Sequence, residues 1–270
     1  MLYFVPTPIG NLDDISSHAL EVLLKCEILI CEDTRVSKTL INLLNQKYEI
    51  HIAPQKFYAL HTHNESEFFS TINLEMFEKN CVYVSDAGMP CISDPGITLV
   101  KFAQKNNISY EIITGANAAL LSVAASGIVQ KEWIFLGFLP NTSRNRTIAL
   151  QNALNFPYPC VIYESPQRIS SLIEEIAKID PNREVFAIKE ATKKFEAKFK
   201  DSATNLLNKL KNANLKGEWC VVVDSSNENT HPNITKDDIM DLDIAPKIKA
   251  KLLSKITGEN VKKIYEKIIK

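Results

Sequence analysis

Short apolar runs rich in β-branched and aromatic residues alternate, along the first part of the chain, with segments whose apolar positions recur every three to four residues. That is the pattern of buried strands set between amphipathic helices. Strands are predicted at residues 3–5, 28–31, 57–60, 82–84 and 110–113, and helices near 14–24, 37–44, 65–78 and 98–106. Ile15, Ala19, Leu20 and Leu23 share one face of the first helix, which Asp13 or Asp14 can cap. This βαβα order predicts a Rossmann-like, mostly parallel sheet with helices on both faces over residues 1–114. A second α/β series occupies 115–224, with strands at 134–136, 161–163, 184–188 and 219–223 and helices near 147–154 and 167–178. The polar stretch 224–233 lacks periodicity and reads as a linker, followed by a lysine-rich helical region over 235–270.

Composition narrows the class. A chain of 270 residues predicts about two domains, and 45% hydrophobic with 23% charged residues is globular composition. No apolar run approaches the ~18 residues of a membrane span. Met1–Pro6 carries no basic segment and reads as a buried first strand rather than an export signal, so a cytoplasmic location without membrane association is expected. Six cysteines without CxxC spacing, mostly in or beside strand-like runs, read as reduced, packed side chains. His61 and His63 would share a strand face, but no third ligand completes a zinc set, so no metal is expected. The net charge of -1 gives no global nucleic-acid signal, and RNA affinity would need local patches. One such patch is 245–270, where eight lysines face two glutamates; it reads equally as the solvated face of packed helices.

The candidate chemistry sits at strand ends. Of only eight glycines, Gly10, Gly88, Gly96, Gly115 and Gly137 fall in or beside the loops that follow strands, where ligands bind in open α/β sheets. Neither GxGxxG nor GxxxxGK[ST] occurs, so dinucleotide and Walker-type nucleotide readings lose their fingerprints. The loop from Ser85 to Gly96 holds two Ser-Asp pairs, two glycines and two prolines, a stiff turn that lets backbone approach a ligand and offers carboxylates to hydroxyls. Asp86 fits that role, whereas Asp94 reads equally as a helix cap. Glu32-Asp33-Thr34-Arg35 reads either as a capped helix start with a local ion pair or as a substrate-facing site. Four of the five arginines, Arg35, Arg144, Arg146 and Arg168, fall in loops or helix starts near these motifs, which suggests phosphate contact or, alternatively, surface ion pairs.

Seven segments in order carry a family resemblance: Pro6-Thr7-Pro8-Ile9-Gly10-Asn11-Leu12, Glu32 to Arg35, His61-Thr62-His63-Asn64-Glu65, Ser85 to Gly96, Gly137-Phe138-Leu139-Pro140, Tyr163-Glu164-Ser165-Pro166-Gln167-Arg168 and Lys216-Gly217-Glu218. Together they resemble the small-subunit ribosomal RNA methyltransferase I family of the tetrapyrrole methylase superfamily. The resemblance implies two α/β domains, the first a Rossmann-like parallel sheet and the second a mixed sheet, with S-adenosylmethionine in the cleft between them and a homodimeric assembly. It implies 2'-O-methylation of a cytidine ribose in the decoding region of small-subunit ribosomal RNA, on RNA or on the assembled small subunit. Cofactor contacts are expected from Pro8, Ile9, Gly10, Asp86, Ala87, Gly88, Met89, Asn117, Ala118 and Tyr163. RNA contacts are expected from Arg35, Lys38, His63, Asn64, Arg144, Arg146, Arg168 and Lys194. This chain departs from the family at Met89-Pro90, where Thr-Pro is usual, and at Thr114-Gly115-Ala116-Asn117-Ala118, where Pro-Gly-Pro-Ser-Ala is usual. Its basic run after Pro140 is thinned to Arg144 and Arg146.

A ribose hydroxyl is a poor nucleophile until deprotonated, so Glu32, His61 and Lys193 are candidate bases. Two rival readings keep the fold: a tetrapyrrole or corrin methylase, which has no evident use for Glu32 to Arg35 or a basic tail, and a non-catalytic ribosome-assembly factor, which has none for Asp86-Ala87-Gly88.

Overall fold

A computed structural model describes residues 1–141, 143–225 and 236–269. The 226–235 part of the expected linker, Thr142 of the thinned basic run and Lys270 lie outside the described residues. The chain divides into two compact units, Met1–Ser225 and Ser226–Lys270.

The first unit opens with β1 (Leu2–Phe4), α1 (Ser17–Leu24), β2 (Ile28–Cys31), α2 (Thr34–Tyr48), β3 (Lys56–Ala59), α3 (Glu65–Thr71), β4 (Cys81–Val84), α4 (Gly96–Lys105) and β5 (Tyr110–Ile112). The five strands form one all-parallel sheet in the order β3-β2-β4-β1-β5. One face packs Leu29, Cys31, Val82 and Val84 on Ala19 and Leu23 of α1 and Ile41 and Leu44 of α2. The other packs Phe4, Ile30 and Tyr83 on Phe68 of α3 and Leu99 and Ala103 of α4. A strand buried on both faces has no side for polar residues, which is why β2 reads Ile-Leu-Ile-Cys without alternation.

Caps shift the helix starts away from the periodic pattern. Ser16, not Asp13 or Asp14, caps α1, its Oγ accepting from Ala19 N–H, and the two aspartates lie in a preceding 3-10 turn. α2 begins at Thr34 rather than near Ser37 because Asp33 accepts from the N–H of Arg35. The helix expected over 65–78 stops after Thr71, and Asn73 caps a separate 3-10 turn, Leu74–Glu78.

The same unit continues with α5 (Ala118–Ser126), β6 (Ile134–Phe138), α6 (Ser143–Leu154), β7 (Cys160–Glu164), α7 (Ile169–Ile179), β8 (Glu184–Lys189), β9 (Ala197–Ser202), α8 (Ala203–Leu210) and β10 (Trp219–Val223). These strands form a mixed sheet, β6-β7-β10-β8-β9, in which the neighbours β6 and β7 pair in parallel and the other neighbours pair antiparallel, so that β6, β7 and β8 share one direction. The periodicity did not reveal α5, β9 or α8. β9 is an edge strand, Ala-Lys-Phe-Lys-Asp-Ser, whose lysines point to water, as edges require; α5 is apolar nearly all round and shows little helical period.

In the second unit, α9 (Lys236–Asp241), α10 (Pro246–Thr257) and α11 (Val261–Ile268) pack around Ile239, Ala250, Leu253 and Ile264. No helix among the described residues is long and apolar enough to cross a membrane.

Candidate functional site

The parallel sheet sends the loops after β1, β2, β4 and β5 to one end, where they meet the ends of β6, β7 and β8 and the start of β10. Between them lies a cavity of about 390 Å³. Ile9, Glu32, Ser85 to Met89, Ile92 to Asp94, Asn117 and Ala118 line it from the first side; Phe138, Tyr163 to Pro166, Ile188, Ala191 and Glu218 to Cys220 line it from the second. Two of these loops hold non-glycine residues at positive φ, Cys91 and Ser93 (both 68°) in one and Glu190 (53°) and Thr192 (63°) in the other. Such strain persists only where the surroundings over-determine the backbone, and it gathers at ligand sites.

Two carboxylates lock neighbouring loops together. Glu32 Oε1 accepts from the N–H of Asp86 at 3.0 Å, and Asp86 Oδ1 accepts in return from the N–H of Asp33 at 3.1 Å. Partial removal from water pushes both carboxyl groups above their ordinary range, in each case the largest effect. On the next turn, Thr7 and Gly88 exchange backbone hydrogen bonds, and Thr7 Oγ1 also accepts from Gly88 N–H at 3.1 Å. Gly88 has φ +86°, and a Cβ there would stand 3.0 Å from Ile9 Cγ2, so the position requires glycine and leaves bare backbone on the cavity wall. Asp94 accepts from Tyr83 Oη (2.9 Å) and from Gly96 N–H, the first of α4 (2.7 Å), but the N-cap position is Pro95, so Asp94 closes the turn before the helix rather than capping it, and it also lines the cavity.

Every charged side chain in the lining is acidic: Glu32, Asp86, Asp94, Glu164 and Glu218. Cys220 also lines the cavity, and burial pushes its thiol up to about 12, so it stands as a neutral thiol and not a nucleophile near pH 7. Tyr163 is likewise pushed up to about 12 by burial; its Oη accepts from Ala119 N–H at 3.1 Å, tying β7 to the first turn of α5.

Of the expected cofactor residues, Ile9, Asp86, Ala87, Gly88, Met89, Asn117, Ala118 and Tyr163 are brought together on the lining. Asn117, one of the departures from the family, caps α5 by accepting from Leu120 N–H at 3.0 Å. Pro8 and Gly10 flank Ile9 without lining the cavity, and a Cβ at Gly10 would meet Lys193 Cγ at 2.4 Å, so that glycine serves the contact between two loops.

Among the three candidate bases, Glu32 alone lines the cavity. His61 is exposed beyond β3, its ring 6.2 Å from that of His63. Lys193 lies off the lining, its Nζ held 3.0 Å from Glu190 and 2.8 Å from Glu218; desolvation opposes its charge, but these two hydrogen bonds prevail and raise its pKa. A lysine kept charged in this way cannot take a proton, which removes it as a base.

Arg146 also needs correction. Its guanidinium is buried, 3.0 Å from Glu164 and 3.1 Å from Glu175, facing the interior rather than phosphate. Arg168 is half-buried, 2.7 Å from the same Glu164, and Arg35 pairs with its own helix cap Asp33 at 2.6 Å while remaining open to water. Arg144, His63 and Lys194 are exposed, Lys38 lies over the Phe57 ring, and Asn64 closes the turn after β3 by accepting from His61 N–H. Glu164, Glu218 and Phe138 belong to the family motifs but carry no local signal of a place on the cavity, which depends on strand ends far apart in sequence.

The fold and this strand-end cavity define a methylase class. The family model "Tetrapyrrole (Corrin/Porphyrin) Methylases" matches residues 1–207, and the chain belongs to that family. Within it, the chain is 65% identical over 270 residues, covering 100% of both chains, to the "Ribosomal RNA small subunit methyltransferase I" of Campylobacter fetus subsp. fetus. Two solved structures share the fold. A cobalt precorrin-4 methyltransferase of cobalamin biosynthesis has TM-score 0.59 at 14% identity, covering 83% of this chain and 94% of that one. The uroporphyrin-III C-methyl transferase of Thermus thermophilus, complexed with S-adenyl homocysteine, has TM-score 0.56 at 13% identity, covering 82% and 96%.

Proposed function

We propose that this protein transfers the methyl group of S-adenosylmethionine to the ribose 2' oxygen of a cytidine in the decoding region of small-subunit ribosomal RNA. The observation that carries the reading is the charge of the cavity: among the described residues its charged lining is wholly acidic. A sulfonium is a cation, and a cavity lined by carboxylates favours it; Glu164 and Glu218 are paired with Arg146, Arg168 and Lys193, which leaves Glu32, Asp86 and Asp94 to supply the charge. The residues present fit the group. Ile9, Met89, Ile188 and Ala191 offer apolar walls to a purine, bare backbone at Gly88 allows close approach, and Asp86 can accept from hydroxyl or ammonium donors. The full-length relative's name supports ribosomal RNA as the substrate.

When bound, S-adenosylmethionine supplies an activated methyl group. The chain's own part is then to hold the ribose hydroxyl in line, exclude water and accept a proton. Glu32 fits the last role: it lies in the cavity, its Oε1 is fixed by Asp86 N–H, and partial burial raises its proton affinity. Exposed Arg144, Lys38, His63 and Lys194, with Arg35 and Arg168, would meet phosphates outside the acidic cavity. A cytoplasmic homodimer belongs to the same proposal, with sedimentation mass as its measure.

The deciding experiment takes small ribosomal subunits from a strain deleted for this gene and incubates them with purified protein and labelled S-adenosylmethionine. One alkali-resistant ribose methylation in the decoding region is expected. Label appearing on a base, or none at all, would overturn the reading.

Glu32→Gln tests the base. Because the group must be ionised to accept a proton, kcat should fall on the acid side through a pKa above the ordinary carboxylate range. The variant should lose that limb and about a hundredfold in kcat. Folding stability runs the other way. A carboxyl whose pKa is raised in the folded state contributes stability below its unfolded pKa and loses it as pH rises through the folded one. Glu32→Gln, which can keep the bond from Asp86 N–H, should therefore melt no lower than wild type at pH 8.

A further inference from the structure

A phenylalanine at the mouth of the cavity is turned outward by an irregularity in its strand. β6 and β7 pair Ile134 with Cys160 and Phe135 with Val161, and then Gly137 with Ile162 and Phe138 with Tyr163. Leu136 is thus an extra residue, and Gly137 takes φ +61° beside it. In a regular strand, Phe135 and Phe138 would point to opposite faces, because successive side chains alternate. The bulge removes one step of that alternation and brings both rings to the same side, as bulges near active sites do. Their centroids lie 5.0 Å and 5.6 Å from that of Tyr163, and both rings meet it in edge-to-face geometry. Phe135 packs into the core beneath, whereas Phe138 lines the cavity with 56% of its surface exposed. The bulge also meets the Ser85 to Gly96 loop, since a Cβ at Gly137 would lie 3.1 Å from Ser93 Oγ.

An exposed apolar ring gains nothing from water, and here three local devices keep it exposed: the extra residue, the left-handed glycine and the Tyr163 edge. The acidic lining repels phosphates, so an RNA backbone must stay outside and only the reacting nucleotide can reach in. An extruded nucleotide loses its stacking neighbours and needs a replacement at the entrance. We infer that Phe138 is a nucleobase platform: the base of the target nucleotide, or the one adjoining it, stacks on the open face of Phe138 while its ribose enters the cavity. The inference rests on the proposal of an RNA substrate. It divides the cavity into an inner part for the cofactor and an outer aromatic rim for a base.

The test compares wild type with Phe138→Ala, Phe138→Leu and Phe138→Trp on unmethylated small ribosomal subunits, alongside calorimetric titration with S-adenosylmethionine alone. Loss of one base–aromatic stack should raise the KM for subunits roughly tenfold in both Phe138→Ala and Phe138→Leu, with kcat changed less. Phe138→Trp, which keeps a π face, should stay near wild type. The affinity for S-adenosylmethionine should be the same in all four proteins. Equal KM values for Leu and Trp would show that only apolar bulk matters and would overturn the platform. A weakened cofactor affinity in Phe138→Ala would place the ring on the cofactor and also overturn it. If wild type fails to methylate small subunits, the substrate reading itself falls, an outcome distinct from failure at Phe138 alone.

Discussion

Asp86→Ala is expected to lower kcat/KM for methyl transfer about a thousandfold, because it removes a preorganised carboxylate and the bond that fixes its loop. Two losses combine. The cavity gives up a carboxylate that pairs with no lysine or arginine among the described residues, and the Asp33 N–H loses its acceptor at 3.1 Å, which leaves the bond from Asp86 N–H to Glu32 to hold the β2 and β4 loops together. Calorimetry should show cofactor affinity falling tens of fold, since a hydrogen bond to a charged group is worth about 1.5–3 kcal/mol. Asp86→Asn separates the two losses. It can keep the bond from Asp33 but not the charge, so it should retain the fold and lose most of the affinity. If Asp86→Ala binds S-adenosylmethionine and methylates as wild type does, this loop has no part in the reaction.

Glu164→Gln is expected to have the largest effect on stability. The Glu164 side chain is fully buried, with Arg146 at 3.0 Å and Arg168 at 2.7 Å, and its Oε1 also accepts from Ser165 N–H at 2.8 Å. The contact with Arg146 is purely electrostatic, because neither Arg146 Nη1 nor Glu164 Oε2 has a hydrogen bond. Neutralising Glu164 leaves Arg146 a buried cation facing Glu175 alone, and breaking a buried pair costs about 3–5 kcal/mol. For a unit of this size that lowers Tm by roughly 10 °C. The paired change Arg146→Met with Glu164→Leu should recover much of the loss, because well-packed apolar groups replace such pairs at little cost. A Tm for Glu164→Gln within about 2 °C of wild type would mean that the cluster contributes nothing to folding.

The parallel sheet was legible because burial on both faces writes each strand as an uninterrupted apolar run, as in Ile28–Cys31 and Cys81–Val84. In the second sheet the same signal located four strands but not their directions, since β8 and β10 read alike whether parallel or antiparallel. β9 escaped because an edge strand needs no apolar run. The double reading of Glu32 to Arg35 resolves by residue: Asp33 and Arg35 are the capped helix start, and Glu32 turns into the cavity. Arg146 and Lys193 were misplaced because a charged residue in a loop or helix start looks exposed until its partners, 18 to 29 residues away in Glu164, Glu175 and Glu218, are known to surround it.

By itself, then, the sequence determined the two α/β series, the strand-end position of the loops that bear glycines and carboxylates and, through ordered motifs, the family. These are local properties: periodicity, glycine placement and contiguous residues. The tertiary structure decided which carboxylates share the cavity, that Arg146 and Lys193 are held by acids, and that Phe138 turns outward over a bulge. The first depends on strand ends meeting across two sheets, the second on side chains brought together from distant parts of the second α/β series, and the third on a one-residue shift in register that no period along a single strand can disclose.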